Sequence, residues 1–373
     1  MLANTRQPSA ANASAVRAPN PVLAPVIRTD FLLAMGVYRT TLAIEKEERT
    51  TGCVSGVATG GIASHRMPHH TFDVAVIGAG PAGLSAALVL GRARRRVVVC
   101  DAGSPRNATA VEMHGLLSRD GMPPAHLLAE GRAQLQRYSS VELALTPSAS
   151  VEPSGDHFAV DVGDNQVRAR RVILATGMIE ALPALPGLRE RWGTSVFSCP
   201  YCDGWEVRDR PLAIAGDRDD LVPLAQELSQ WSRDLTIYGC DLDACSAQEQ
   251  AWIRAAGVVT RASRIVALEG AAAPTLRLAS GERAGCDALF LCVPLVQRSP
   301  LAAKLGCALT HTGRIEVNRD QRTSVAGVYA AGDASGHVHQ VVTAAASGAM
   351  AGMSVNDDLS AEDNRNLIAA VPT

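Results

Sequence analysis

The first sustained pattern in the chain is an apolar, β-branched strand from Phe72 to Ile77. It runs into Gly78-Ala79-Gly80-Pro81-Ala82-Gly83, and small and apolar residues then carry a helix from Pro81 to about Gly91. Arg94 to Arg96 close that helix with cations, as its dipole prefers. Val97 to Cys100 form the next buried strand, and Asp101 ends it. An acid therefore lies about 20 residues beyond the glycines, where dinucleotide folds bind a ribose hydroxyl. A lone GxGxxG is weak evidence. Strand, glycine turn, helix, strand and acid in that order are strong evidence.

The alternation returns downstream. Val172 to Leu174 is a buried strand that ends in the small-residue turn Ala175-Thr176-Gly177, and Pro183, Pro186 and Gly187 mark a linker. Pro211 to Gly216 opens a second βαβ unit, with a helix near Leu221 to Ser232 and a strand from Leu235 to Tyr238. Asp287 to Val293 is another strand, and Pro294 to Pro300 a second linker. Gly327 to Asp333 then leads into a small-residue helix from about Gln340. The predicted class is α/β, with two Rossmann-like nucleotide-binding domains, the second inserted into the first. Residues 71–188 and 295–358 form the outer domain, 189–294 the inserted one, and 359–373 a tail.

Residues 1–70 lack sustained periodicity and read as a disordered extension or a non-native start, with Met67 the natural beginning. Their early part is poor in acids, so a targeting peptide is the other reading. Val74 to Gly91 carries no charge and has nearly the length of a membrane span. Its glycines and proline instead make it strand, turn and helix, so no membrane role is expected.

Composition narrows the chemistry. The formal charge is −2 and aromatic residues make up 4% of the 373, so neither a basic patch nor a stacking platform points to nucleic acid. Nine cysteines are scattered, only one pair has CxxC spacing, and no secretory signal is evident. That argues for a reducing, cytoplasmic setting and against a disulfide framework. The one CxxC is Cys199-Pro200-Tyr201-Cys202, followed by Asp203-Gly204. Structural zinc needs a second ligand pair, and Cys240 and Cys245 lack the spacing, so no metal is expected. A redox pair in a chain with a dinucleotide site has an electron source or sink at hand.

From about Phe72 to Asp358 the chain resembles the low-molecular-weight thioredoxin reductases and their relatives among FAD-dependent pyridine nucleotide-disulfide oxidoreductases. The resemblance implies that Gly78, Gly80, Pro81, Ala82, Gly83 and Asp101 bind the ADP half of FAD, with Thr176 and Gly177 in the cofactor-binding set. Tyr329-Ala330-Ala331-Gly332-Asp333 resembles the second flavin motif, in which Asp333 holds the ribityl chain after Gly332. Gln340 and Val341 would begin a helix whose positive end faces the flavin pyrimidine. Cys202 would exchange electrons with the flavin, Cys199 would meet the substrate, and Asp203 would manage the departing proton. Asp203 also suits a plain turn or cap before Gly204. His114, in the loop after Asp101, could approach the flavin or substrate, but a loop histidine is more often structural and it stays outside the catalytic set. The family precedent is a homodimer.

The second nucleotide turn departs from that family. Gly216-Asp217-Arg218-Asp219-Asp220-Leu221 has Arg218 in place of the close-approach glycine, Leu221 in place of a small residue, and three aspartates. After the next strand come Gly239-Cys240-Asp241, where the family has cations for the NADPH 2′-phosphate. NADPH binding is expected to be weakened or lost, unless Arg218 itself pairs with pyrophosphate. The favoured function is oxidation of a small-molecule dithiol with oxygen as acceptor, as in relatives that close the gliotoxin and holomycin disulfides. Asp203, where some of those relatives have histidine, fits the alternative: a thioredoxin reductase, using NADPH or another donor, that reduces a thioredoxin-like protein. A flavin redox sensor without turnover is the minor alternative.

Overall fold

The computed structural model describes residues 71–146, 150–270 and 273–371, with Arg218 described by its backbone only. The extension 1–70 lies outside the described residues. Strand β1 (Thr71–Ile77), helix α1 (Pro81–Arg92) and strand β2 (Val97–Asp101) form where the apolar pattern predicts them. Helix α2 (Pro124–Leu135) and β3 (Val141–Leu145) follow, then β4 (Val151–Ser154), β5 (His157–Val162), the long β6 (Asn165–Leu174) and short β7 (Met178–Glu180). The next stretch holds β8 (Val196–Phe197), α3 (Pro200–Asp203), β9 (Leu212–Ala215), α4 (Arg218–Leu228), β10 (Leu235–Tyr238), α5 (Ala247–Ala256) and β11 (Val259–Arg261). Strands β12 (Ile265–Glu269), β13 (Thr275–Leu278), β14 (Arg283–Gly285) and β15 (Ala288–Leu291) complete it. The chain closes through β16 (Leu295–Gln297), α6 (Leu301–Lys304), β17 (Val328–Ala330) and α7 (Val341–Ala369).

The strands sort into two main sheets, as the α/β class requires. The first runs β3-β2-β1-β6-β5-β4, with β17 added beside β6. Strand β6 can serve both neighbours because it is ten residues long: its start pairs with β5 and its end with β17. The second sheet runs β11-β10-β9-β15-β8, all parallel. Its helix α4 starts at Arg218 rather than near Leu221, because Asp217 already has extended N-cap geometry. Leu221, Val222, Ala225 and Leu228 of α4 then pack on Leu212, Ile214 and Phe290.

Two expectations need correction. The linker 294–300 contains strand β16, which pairs antiparallel with β7 at the other crossing between the sheets. The tail 359–373 is not separate, since α7 continues to Ala369 and buries Leu359 completely. Acidic residues on that last stretch meet a row of arginines: Asp363 pairs with Arg95 at 2.7 Å and Arg170 at 2.6 Å, and Glu362 pairs with Arg170 and Arg171. The helix persists because its far end is anchored. Close packing holds its near end, where a methyl on Gly348 would overlap the Ala82 carbonyl of α1. Among the described residues no helix is long and apolar enough to cross a membrane.

Candidate functional site

A cavity of about 550 Å³ opens at the carboxyl ends of β1, β2 and β6, the place where open parallel sheets bind ligands. The glycine turn after β1 forms one wall. Gly78 has φ of +106°, and a side chain there would collide with the Ala175 carbonyl. A methyl on Gly83 would overlap the Gly78 carbonyl. These two glycines are demanded by the fold itself. Gly80 differs, because a methyl there would meet nothing within 4 Å. The open side of Gly80, Pro81 and Ala82 lines the cavity, so the middle glycine leaves room for something other than protein.

Asp101 closes the same wall. Its Oδ1 accepts the Ala79 amide at 3.1 Å and its Oδ2 accepts Arg132 at 2.8 Å, which fixes the carboxylate at the cavity rim. Each oxygen keeps a second lone pair for a hydroxyl. Thr176 and Gly177 line the cavity after β6, and Gly332 and Asp333 line it beside them, after the neighbouring strand β17. Gly332 has φ of +72° and donates its amide to Ser347 on α7. Asp333 receives Arg106 Nε at 3.0 Å, and Arg106 also reaches Glu180 at 3.0 Å and the His339 carbonyl at 3.3 Å. Val341 and Ala344 of α7 complete the lining, so the positive end of a 29-residue helix meets the cavity. An open glycine, an anchored ribose-type acid and a helix N-terminus are the donor set that an FAD needs, and the residues fit it.

The cysteine pair lines this cavity too. Cys199 follows β8, and a disulfide joins it to Cys202 with the Cα atoms 5.3 Å apart. Pro200 starts the single turn of α3. Gly204 is needed because a methyl there would lie 2.5 Å from the Pro200 carbonyl and 3.1 Å from the Trp231 ring. Tyr201 points outward and meets Trp231 edge-on at 5.4 Å. Asp203 is half-buried, and burial raises its pKa from 3.8 to about 6. Glu206 adds to the rise, while His114 opposes it.

Several residues at the site escaped the sequence reading. His114 lines the cavity, lies 3.5 Å from both Asp120 and Glu206, and acts on Asp203 electrostatically. Arg106 carries no motif either, and only its position in the loop after Asp101 hinted at it. Gln340 presents its side chain to the cysteines, with Nε2 3.3 Å from Cys202 Sγ and 3.5 Å from Cys199 Sγ. The expectation for Gln340 concerned only the flavin.

The second glycine turn is built differently. Gly216 has φ of +146° and abuts Cys292, whose Cβ would lie 2.5 Å from an added methyl. Asp217 precedes α4, and Asp219 and Asp220 occupy its first turn on exposed ground. Burial, then Asp220 and Asp217, push the Cys292 thiol up to about 12. Leu221 is not at the phosphate side at all: it is 1% exposed and faces the core. After β10, Asp241 accepts the Asp243 amide, and Cys240 Sγ lies 3.5 Å from Cys245 Sγ.

The sequence profile of the pyridine nucleotide-disulphide oxidoreductases matches residues 72–348. A probable thioredoxin reductase of Arthroderma benhamiae is 36% identical over 214 residues, spanning 55% of this chain and only 52% of that protein. The thioredoxin reductase sirT of Leptosphaeria maculans is 31% identical over 305 residues, 76% of this chain and 93% of its own. Among solved structures, HlmI shares 36% identity at a TM-score of 0.75, over 80% of this chain and 96% of that one.

Proposed function

The chain belongs to the pyridine nucleotide-disulphide oxidoreductases, FAD-dependent enzymes of disulfide exchange, and we propose that it oxidises small-molecule dithiols with oxygen as the final acceptor. The observation that carries this reading is the acidic second turn. Asp217, Asp219 and Asp220 crowd the N-terminus of α4, where a nicotinamide nucleotide would place its pyrophosphate. Asp241 stands where a 2′-phosphate would need a cation. Repulsion at both positions disfavours NADPH as the electron donor, and electrons then enter through the cysteines.

The chain's own residues support each step. A substrate thiolate attacks Cys199 Sγ, the Cys199–Cys202 bond breaks, and the electron pair leaves on Cys202 Sγ. Asp203, which titrates near pH 6, takes up and returns the proton that moves with the sulfur. The second substrate thiol attacks the mixed disulfide at its substrate sulfur, releasing the cyclised disulfide and Cys199 as a thiolate. Bound FAD supplies the acceptor for the resulting electron pair and its transfer to oxygen. The balance is dithiol plus oxygen to disulfide plus hydrogen peroxide. Gly78, Gly80, Pro81, Ala82, Gly83, Asp101, Thr176, Gly177, Gly332, Asp333 and Val341 are the residues that would hold the flavin.

Asp203 and the names of the relatives favour a second reading: reduction of a thioredoxin-like protein by NADPH or another donor. Anaerobic mixing separates the two. Bleaching of the flavin band by a small dithiol, with oxygen uptake on re-aeration, is expected; rapid bleaching by NADPH would sink the oxidase reading. In either reading the enzyme works in the cytoplasm as a homodimer.

A further inference from the structure

The Gln340 side chain spans the gap between α7 and the disulfide, and both of its ends are engaged. At the helix, its oxygen accepts the Thr343 amide while Thr343 Oγ1 accepts the Gln340 amide at 3.3 Å, a reciprocal cap. That cap determines which end of the side-chain amide is which. The oxygen is committed to the helix, so the NH₂ group must face the sulfurs at 3.3 Å and 3.5 Å. The reversed orientation would set an N–H against the Thr343 N–H and an oxygen against sulfur lone pairs. The loop that holds His114 backs the arrangement, since a methyl on Gly115 would lie 3.6 Å from the Gln340 oxygen.

We infer that Gln340 is a catalytic residue whose side-chain NH₂ stabilises the thiolate released when the Cys199–Cys202 bond opens. A disulfide sulfur is a weak acceptor, whereas a thiolate is a strong one. The bond from Gln340 therefore strengthens as charge develops, and only such differential interactions accelerate a step. When an incoming thiolate attacks Cys199 Sγ, the electron pair of the breaking bond goes to Cys202 Sγ, the nearer of the two sulfurs. Gln340 moves no proton and adds no titration of its own. The same donor serves the reverse reaction, in which the Cys199–Cys202 dithiol reduces another disulfide. The inference thus rests on the redox pair alone and not on the direction of electron flow.

Two variants separate this role from capping. Gln340→Ser keeps a good helix cap but cannot reach the sulfurs. Gln340→Glu keeps the accepting oxygen and turns a carboxylate oxygen toward them. The FAD-loaded protein is reduced anaerobically with a phosphine, and alkylation of Cys199 and Cys202 by iodoacetamide is followed across pH by peptide mass spectrometry. The thiolate fraction near neutral pH is expected to fall about tenfold in Gln340→Ser, in proportion to one lost charge-assisted bond, and further in Gln340→Glu. Turnover should fall in parallel with little change in KM. Alkylation profiles that superimpose on the parent in either folded variant would overturn the assignment, whichever way electrons flow.

Discussion

Arg106 clamps Asp333: its Nε lies 3.0 Å from the Asp333 carboxylate while one of its other nitrogens holds Glu180. Without the guanidinium, two carboxylates would face each other across the cavity wall. Arg106→Met is therefore expected to weaken FAD binding about tenfold to a hundredfold, the cost of a lost charge-assisted bond. Arg106→Lys should lose less, keeping the charge but not the fork. Fluorescence titration of the apoprotein with FAD measures both. Equal affinity in all three proteins would show that Asp333 needs no partner.

The glycine turn gives a contrast within six residues. Gly80→Ala should leave the apoprotein's melting temperature unchanged, because open space surrounds the new methyl, yet cut FAD affinity by at least about tenfold through the pyrophosphate contact. Gly83→Ala should destabilise the fold itself, since its methyl would overlap a carbonyl. Thermal denaturation of the apoproteins and FAD titration distinguish the two.

These contrasts mark what the sequence made legible. Phe72 to Asp101 announced itself because strand, turn, helix and strand are local, and each residue's role depends on neighbours in the chain. Arg106 did not, nor did the contact of Gln340 with the cysteines, because those partners are brought near only by folding. The pairing of β7 with β16 was hidden for the same reason, inside a stretch whose prolines read as linker. Leu221 misled in the opposite way. It stands in a motif position where the family has a small residue, but helix periodicity turns it inward, where it fills core.

Asp203 sets an expected pH dependence. Its folded-state pKa of about 6 lies above the ordinary 3.8, so the folded protein holds the proton more tightly than the unfolded chain does. The associated stability is full below about pH 4 and is lost as pH rises to about 6. Asp203→Asn should therefore be more stable than the parent at pH 8, by up to about 3 kcal/mol, with no advantage at pH 4. Its turnover should fall at least about a hundredfold, and the limb near pH 6 should vanish from the rate profile. Denaturant titrations at the two pH values and steady-state rates check both halves.

Truncation after Asp358 tests the long helix. It removes Leu359, which is fully buried, and the carboxylates that pair with Arg95, Arg170 and Arg171. A loss of at least about 2–5 kcal/mol is expected from the leucine alone. A denaturant midpoint unchanged by the truncation would refute the anchoring role.

Leu221→Ala should destabilise by about 2–5 kcal/mol without restoring a response to NADPH, since the side chain fills core rather than blocking a nucleotide. Replacing Asp217, Asp219 and Asp220 with asparagine is the change expected to make NADPH bleach the flavin. Anaerobic stopped-flow absorbance of the two proteins compares them directly.

The ribbon of β7 and β16 has a consequence of its own. The chain leaves the first sheet and returns to it through two hydrogen-bonded neighbours, Met178–Glu180 and Leu295–Gln297. Everything between them is a cassette with adjacent ends, and outside the cysteine pair that lines the cavity its interior can drift in sequence without rerouting the remainder. A nicotinamide turn can thus decay into an acidic one while the flavin wall stays intact. Under the proposed function, the architecture would make a change of electron donor a local event.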